Sequence, residues 1–247
     1  EFRNVTFSYP GAEEPALANI TFSAAPGEVT AIIGGTGAGK STLVSLIPRF
    51  YDIDSGYILV DGVDVREMAQ EHLRSKIGFV PQKTVLFTGT VAENIRYGKD
   101  GATDEEVYHA AEVAQAIEFI LSMKDGFNSL IAQGGTNVSG GQKQRLSIAR
   151  ALVRNPEVYV FDDSFSALDF KTDSRLRAAL KKETRESTVL IISQRVSTVM
   201  DADQIIVLDE GHVAGIGTHR ELMRTSEVYR EIVSSQLSSE EIAEEIA

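Results

Sequence analysis

The chain contains no cysteine and no tryptophan, and only six of its 247 residues are proline. Without cysteine it can form neither a disulfide framework nor a thiolate metal site, which fits a reducing cytoplasm. No apolar run approaches the roughly 20 residues that span a bilayer, and the opening residues lack the basic and apolar regions of a signal peptide. We therefore expect a soluble piece of a longer polypeptide.

Basic residues are scarce relative to acidic ones. The 24 Lys and Arg face 36 Asp and Glu, which gives a formal net charge of −12. Nucleic-acid phosphates and anionic bilayer surfaces both attract Lys and Arg, so this charge argues against nucleic acid as a partner and against direct docking on an anionic bilayer. Apolar residues make up 43% of the chain, enough for the core of one sizeable domain with subdomains.

Apolar runs of strand length recur between helical patterns. They predict strands at Val29–Ile33, Tyr57–Val60, Ile77–Val80, Val158–Phe161, Val189–Ile192 and Ile205–Leu208. Helices are predicted at Ser41–Ile47, at Phe170–Lys182 and after Thr218. This alternation favours an α/β fold with a parallel-sheet core, to which a β-rich start (about 1–30) and a helical middle (about 84–155) are added.

Two capping-box patterns lie in the helical middle. Thr103 with Glu106 opens one helix, and Ser139 with Gln142 opens another. Behind the first box, a single apolar stripe predicts one continuous helix. Its members are Val107, Ala111, Ala114, Ile117 and Leu121.

Residues Gly34 to Ser41 read GGTGAGKS and match the pattern G-x-x-x-x-G-K-[ST]. Glycines let backbone N–H groups curl around phosphate oxygens without a Cβ in the way, and the helix that follows points its positive end at the anion. Lys40 places a charge on the β and γ phosphates, and the Ser41 hydroxyl ligates Mg²⁺. The alternative is a Gly-rich turn without a ligand, but the preceding strand and following helix favour Mg-ATP. The predicted contacts are Gly35, Thr36, Gly37, Ala38, Gly39, Lys40, Ser41 and Thr42.

The apolar run Val158–Phe161 ends in two acids. An acid at the carboxyl end of a parallel strand lies where ligands bind in open α/β sheets. Asp162 would then belong to the Mg²⁺ shell, and Asp163 would face the γ-phosphate and an attacking water. A solvated strand end with ordinary turn acids is the alternative on this stretch alone.

Val138 to Gln142 read VSGGQ, followed by KQR, and closely resemble the LSGGQ signature of ATP-binding cassette (ABC) proteins. Tyr9 in FSYPG resembles the A-loop aromatic that stacks on adenine. Gln82 in FVPQ resembles the Q-loop glutamine that touches Mg²⁺. Ser166 to Asp169 (SALD) resemble the D-loop. The resemblance covers Phe2 to about Leu237. The chain is similar in subtype to the ATPase domains of ABC exporters, including multidrug and lipid exporters, as indicated by the segments SGYILVDGVDV, LFTGTVAENIRYG and GTHRELM.

The resemblance implies a P-loop NTPase (RecA-like) core with an antiparallel β subdomain and an α-helical signature subdomain, spanning residues 1–237. An acidic tail would follow at 238–247. ATP and Mg²⁺ are the implied cofactors, with Ser41, Gln82 and Asp162 at the metal. Family members form head-to-tail dimers in which each ATP lies between one subunit's P-loop and the other's signature. Ser139, Gly140, Gly141 and Gln142 would therefore face a partner's ATP, and the D-loop would contribute Ser166 and Asp169.

The resemblance also implies partners outside this chain. The implied partners are membrane-spanning domains, with Phe87–Tyr97 as the surface for their coupling helices. The implied location is the cytoplasmic side of the bacterial inner membrane, and the small-molecule export substrate would bind outside this domain. Arg145 and Arg150 lie on the signature helix, where ordinary surface charge and a contact with ATP or partner are equally good interpretations.

Two positions depart from the family pattern. Asp163 stands where the family has a catalytic Glu, and losing one methylene withdraws the carboxylate by about 1.5 Å. A misplacement of about 1 Å can cost roughly 10²-fold in rate. Gln194 stands where the family has its switch His, and a neutral amide cannot shuttle a proton. We expect a degenerate site that binds ATP with slow or no hydrolysis, as in the noncatalytic half of heterodimeric bacterial multidrug ABC exporters.

Other functions stay open at this level. Asp163 and Gln194 can be tolerated in a fully active homodimer. A soluble ABC ATPase of translation or DNA repair is a second alternative, but the two cassettes, coiled-coil or zinc insertions and basic surfaces of that class are missing from this sequence. A P-loop kinase is a third, and it has no need of Ser-Gly-Gly-Gln, Tyr9 or Gln82. The leading hypothesis is the motor domain of an exporter, paired with a second, non-identical subunit.

Overall fold

The computed structural model describes residues 1–238, so most of the predicted acidic tail, residues 239–247, lies outside the described residues. The strands are β1 (Phe2–Phe7), β2 (Leu17–Phe22), β3 (Val29–Gly34), β4 (Ser55–Val60), β5 (Val63–Asp64), β6 (Ile77–Val80), β7 (Gly89–Thr90), β8 (Leu130–Ile131), β9 (Val158–Asp162), β10 (Thr188–Ile192), β11 (Gln204–Asp209) and β12 (His212–Gly217). The helices are α1 (Lys40–Ser45), α2 (Gln70–Ser75), α3 (Val91–Arg96), α4 (Asp104–Val113), α5 (Ile117–Ser122), α6 (Gly140–Leu152), α7 (Phe170–Glu183), α8 (Val196–Val199), α9 (His219–Thr225) and α10 (Glu227–Ser234).

The chain divides into two compact units. The first joins Glu1–Ile77 to the segment that begins at Thr188, and the second is Gly78–Ser187. In the first unit β3 pairs in parallel with both β10 and β11, and β12 adds to β11 in antiparallel. Strands of such a parallel centre are buried on both faces, which is why β3, β10 and β11 are near-continuous apolar runs. The parallel core predicted from the alternation is confirmed.

A second sheet in the first unit contains the β-rich start of the chain. Its strands run in the order β2-β1-β4-β5, and the pairings within it are antiparallel. The turn from β4 to β5 is Asp61-Gly62, with φ of 50° and 78°. Positive φ at both central residues is the type I′ hairpin geometry that matches the twist of the flanking strands. The Asp-Gly dipeptide therefore forms the tight turn that joins these two strands.

The second unit contains the helical middle, with β6 and β9 as neighbouring strands. The capping boxes predicted at Thr103 and Ser139 are both formed. The prediction of one continuous helix behind Thr103 is wrong. Helix α4 ends at Val113, Gln115 takes a left-handed φ of 56°, α5 starts at Ile117, and Leu121 is exposed. Within residues 1–238, no helix combines the length and the apolar character needed to cross a bilayer.

Candidate functional site

The loop between β3 and α1 carries the predicted phosphate-binding motif. Gly34 ends β3 where a Cβ would lie 2.2 Å from the carbonyl oxygen of Leu208 on β11, so only glycine fits. Gly37 and Gly39 have φ of 83° and 99°, a region that L side chains rarely adopt. Gly39 is also the N-cap of α1, and it provides no side-chain cap. The glycines therefore give this loop a backbone path that other residues would not follow.

Lys40 lies over this loop. Its side chain is buried, and its Nζ donates to the carbonyl oxygens of Gly34 (2.9 Å) and Gly35 (2.6 Å). A buried ammonium needs such acceptors to offset its lost hydration. Phosphate oxygens are stronger acceptors for the same group, because that bond joins opposite charges. Ser41, the next residue, is exposed.

Tyr9 is anchored to the helix that follows the loop. Its hydroxyl is 2.8 Å from the Thr42 hydroxyl, and either group can be the donor. The ring meets Phe7 and Tyr51 edge to face, with centroids 5.0 Å and 5.4 Å away. Such contacts fix the plane of an aromatic ring. Because 39% of Tyr9 stays exposed, the ring is both oriented and accessible for stacking on a flat ligand.

Gln194 follows β10 at the same edge of the sheet as the phosphate loop. Strand β10 runs parallel to β3 with Ile192 opposite Ile32, and the N–H of Ser193 donates to the Ile32 carbonyl (3.3 Å). Parallel neighbours end at one edge, so residues that follow the two strands share that edge. The Gln194 side chain is exposed. The first unit thus carries Tyr9, the phosphate loop and Gln194.

Two carboxylates and a glutamine meet in the second unit. Asp162 is buried at the carboxyl end of β9, and Asp163 follows it with a left-handed φ of 46°. The Nε2 of Gln82, two residues after β6, donates to Oδ2 of Asp163 (3.3 Å). The Ser164 hydroxyl donates to the Val80 carbonyl (3.0 Å) and ties the two strand ends together. The predicted Q-loop residue Gln82 therefore lies next to the pair of acids at the end of β9.

The predicted signature residues begin α6. The Ser139 hydroxyl accepts from the Gln142 N–H (3.2 Å), and the Ser139 N–H donates to Oε1 of Gln142 (2.9 Å). Ser139 and Gly140 are exposed, and a Cβ added to Gly140 would make only an ordinary van der Waals contact, 3.8 Å from the Cβ of Ala167. The simple N-cap interpretation of Ser-Gly-Gly-Gln is correct as local structure, and it leaves the helix end accessible.

The predicted D-loop packs on this helix end. Oε1 of Gln144 accepts from the Ala167 N–H (3.2 Å), and a Cβ on Gly141 would lie 3.0 Å from the Ala167 carbonyl oxygen. Asp169 caps α7, and the hydroxyl and N–H of Thr172 hold the pKa of its carboxyl below the ordinary value. The signature helix and the D-loop are therefore in direct contact. The contact made by Gln144 was not predicted. Gln144 lies on the buried face of α6 among apolar residues, and a glutamine at such a helical position was the signal that could have pointed to it.

Arg145 and Arg150 are not ordinary surface charges, because both guanidinium groups make hydrogen bonds to backbone carbonyls of the second unit. Arg145 donates to the Gln115 carbonyl (2.8 Å), stacks on Phe119 and thereby fixes the break between α4 and α5. Arg150 donates to the carbonyl oxygens of Asn94 and Val85, both at 2.9 Å. Burial lowers the pKa of each guanidinium.

Comparison with known proteins matches residues 17–166 to the family model described as ABC transporter. The chain belongs to the ABC transporter family. An uncharacterized ABC transporter ATP-binding protein of Mycobacterium tuberculosis is 50% identical over 234 residues, which cover 94% of this chain and 40% of that protein. A Staphylococcus aureus protein described as a candidate multidrug export ATP-binding/permease protein is 44% identical over 233 residues, covering 94% and 40%.

A solved structure of a bacterial Atm1-family ABC exporter with ATP bound superimposes with a TM-score of 0.93 at 40% identity. The alignment covers 96% of this chain and 42% of that one. The fold is therefore the P-loop NTPase fold of ABC ATPase domains. The chain spans about two fifths of the length of the curated relatives that it matches.

The residues present suit the nucleotide that ABC ATPase domains bind. A Cβ added to Gly35 or Gly37 would have nothing within 4 Å, so the loop lining is open to bulky oxygens. Lys40 offers a cation beside it. Ser41 offers a hydroxyl and Asp162 a carboxylate, the oxygen donors that Mg²⁺ prefers.

Proposed function

We propose that this chain is the ATP-binding motor domain of an ABC exporter, with a nucleotide site of its own that binds Mg-ATP and hydrolyses it slowly or not at all. Its signature would complete the catalytic site of a second, non-identical subunit. The observation that carries this proposal is a contrast between two sets of residues. The signature end of α6 is complete and exposed, whereas Asp163 and Gln194 occupy the two positions at which the family has a catalytic Glu and a switch His.

ATP binding would use the oriented groups of the first unit. Tyr9 would stack on adenine, and backbone N–H groups from Gly35 to Ser41 would surround the phosphates. Lys40 would move its hydrogen bonds from loop carbonyls to phosphate oxygens. Ser41, Gln82 and Asp162 would hold Mg²⁺, which when bound offsets phosphate charge. These assignments rest on the geometry of each group within its own unit.

Slow hydrolysis would follow from the state of Asp163. Its side chain is one methylene shorter than Glu, a difference of about 1.5 Å. Its carboxylate also accepts from Gln82, which draws it toward the Q-loop. Gln194 would still donate an amide hydrogen bond to the γ-phosphate, but it cannot carry a proton. ATP bound at this site would then mainly hold the two subunits together, and little of it would be hydrolysed.

Transport would be driven through linked membrane domains. ATP prefers the closed dimer, and closure shifts the population of the attached membrane domain toward its outward-facing state. The likeness to an Atm1-family exporter supports export as the direction. Exposed Phe87 and Tyr97, whose rings lie 4.4 Å apart with Arg150 over both, support the segment 87–97 as the docking surface. The domain would then lie on the cytoplasmic side of the bacterial inner membrane.

The test is steady-state ATP hydrolysis by the chain, by each single variant and by Asp163→Glu combined with Gln194→His. We expect little activity in the unmodified chain and at least about a 10²-fold rise in the double variant. Lys40→Ala in the double-variant background should abolish the gain, which assigns it to this P-loop. Strong hydrolysis by the unmodified chain would support the fully active homodimer instead. A double variant that stays inactive would contradict the roles given to these two positions.

A further inference from the structure

The side chain of Gln236 pairs with the backbone that follows β10. Its Nε2 donates to the carbonyl oxygen of Gln194 (2.7 Å), and its Oε1 accepts from the N–H of Val196 (2.9 Å). Arg195 between them is extended, with φ −94° and ψ 124°. One carboxamide therefore binds residues two apart on one side of an extended segment, as a neighbouring strand would. We call residues 194–196 the switch segment.

These two bonds satisfy backbone groups at a helix end. The N–H of Val196 is the first of helix α8, and such N–H groups have no acceptor inside their own helix. The N-cap of α8, Arg195, makes no side-chain cap. Gln236 supplies that cap from 40 positions further along the chain, and the same amide holds the carbonyl of Gln194.

Helix α10, which leads into Gln236, is packed against α8. Tyr229 and Val233 on α10 are buried in one apolar cluster with Val196 and Val199 of α8. The N–H of Gln236 donates to the Val233 carbonyl (3.0 Å), which continues the turn at the end of α10. Gln236 and the switch segment that it bonds therefore belong to one packed body.

Two further contacts extend this body. The Tyr229 hydroxyl is 2.8 Å from Nδ1 of His219 on α9, and both side chains are buried. Ile33, at the end of the strand that leads into the phosphate loop, belongs to the same cluster. The end of α10 is therefore fixed relative to the loop at which Gln194 would act.

We propose that Gln236 is a positioning residue, which holds the switch segment extended so that the Gln194 side chain meets the γ-phosphate. This inference rests on the role proposed for Gln194. Only a carboxamide of this length both donates and accepts at the two required points. Glutamate lacks the donor, and asparagine is one methylene too short to keep both bonds.

The first measurement is hydrogen exchange of the Val196 amide in the 247-residue chain. Gln236→Ala should speed this exchange at least about tenfold, because the amide loses the acceptor that the Gln236 side chain supplies. Gln236→Glu keeps the oxygen acceptor and the side-chain length, so Val196 should stay protected. Gln204→Ala is the matched control, since it removes a glutamine bond to the Ser23 carbonyl in the same unit. Unchanged exchange in Gln236→Ala would overturn the clamp.

The second measurement is the ratio of the dissociation constants for Mg-ADP and Mg-ATP. Because the γ-phosphate is the group that only ATP has, Gln236→Ala and Gln236→Glu should reduce the preference for ATP by about 3- to 10-fold with ADP affinity unchanged. Gln194→Ala should do the same, and adding Gln236→Ala to it should cause no further loss. Gln204→Ala should leave the ratio unchanged.

The outcomes distinguish a failure of the positioning role of Gln236 from a failure of the γ-phosphate contact proposed for Gln194. If Gln194→Ala lowers the ratio and both Gln236 variants do not, the positioning role is wrong while the proposed ATP contact stands. If Gln194→Ala leaves the ratio unchanged, the proposed contact is wrong and the positioning role falls with it. Equal loss of ATP and ADP affinity in folded Gln236→Glu would indicate a general structural role and would also overturn the inference.

Discussion

The two helix ends that the sequence assigns to phosphate are built in opposite ways. Helix α1 begins behind Gly39, whose left-handed backbone provides no side-chain cap. Helix α6 begins behind Ser139, whose capping box with Gln142 makes both of its bonds. Both stretches are rich in glycine, but for different reasons. In the first, glycine is required by backbone conformation, and in the second it keeps the approach to a capped helix end clear.

The difference teaches how each end would meet an anion. The α1 loop relies on a backbone path and on Lys40, which already bonds to carbonyl groups of that loop. At the α6 end the capping box satisfies the N–H groups of Ser139 and Gln142, and the first three helical residues, Gly140 to Gln142, include no Lys or Arg. Under the proposed function, the α6 end would meet the phosphate of a nucleotide bound to a second subunit, whereas the α1 loop would bind this chain's own nucleotide.

Replacing glycine by alanine at the two helix ends should give the largest difference in the free energy of unfolding. Gly39→Ala should lower the free energy of unfolding by about 2–4 kcal/mol, because φ is 99° and the new Cβ would lie 2.8 Å from Cδ2 of Leu17. Gly140→Ala should cost nothing beyond about 0.5 kcal/mol, because its nearest neighbour is Ala167 Cβ at 3.8 Å. Urea unfolding measures both. Similar losses would show that the two ends are not built differently.

Lysine substitutions should separate the two ends in nucleotide binding. Lys40→Ala should weaken Mg-ATP binding by about 10- to 100-fold, the effect of losing a charged hydrogen bond in a buried position. Lys143→Ala, on the first turns of α6, is the matched control and should leave this chain's own ATP affinity unchanged. Titration calorimetry measures both. A loss in Lys143→Ala as large as that in Lys40→Ala would contradict the assignment of the nucleotide to the α1 loop.

Removing the cap of α6 should have a smaller effect on stability and a specific effect on function. Ser139→Ala should lower the free energy of unfolding by about 1 kcal/mol. Thr103→Ala removes the matching capping box of α4 and should cost about the same. If the proposed function is correct, only Ser139→Ala should also slow ATP hydrolysis by the complex with the proposed second subunit. Equal hydrolysis by the two variants would argue that the signature end touches no nucleotide.

The smallest expected effect is a pH dependence. The pKa of Asp169 is lowered by hydrogen bonds from Thr172, so its contribution to stability is present above the ordinary pKa and is lost as pH falls through the lowered one. Asp169→Asn keeps the cap without the charge. The difference in urea midpoint between wild type and Asp169→Asn should therefore shrink as pH falls below about 4. The difference for Ser139→Ala, an uncharged cap, should stay constant.

Local patterns in the sequence were sufficient for much of the fold. The predicted Ile77–Val80 coincides with β6, and the boxes at Thr103 and Ser139 form as the spacing requires. The helix behind Thr103 was extended too far because its apolar stripe continues through a left-handed residue. Gln115 adopts that conformation where Arg145, 30 positions away, donates to its carbonyl. No periodicity in the stripe could carry that information.

The sequence by itself determined the chemistry that this protein offers: the glycine loop with Lys40, the paired acids of which one is Asp163, the Ser-Gly-Gly-Gln end and the family they indicate. These depend on residue type and short spacing, which the chain states directly. Only the tertiary structure decided the contacts between distant positions, such as Gln82 with Asp163, Gln144 with Ala167 and Gln236 with the switch segment. A side-chain amide bonds whichever polar group folding brings within about 3 Å, and that neighbour is determined by the packing of the folded chain.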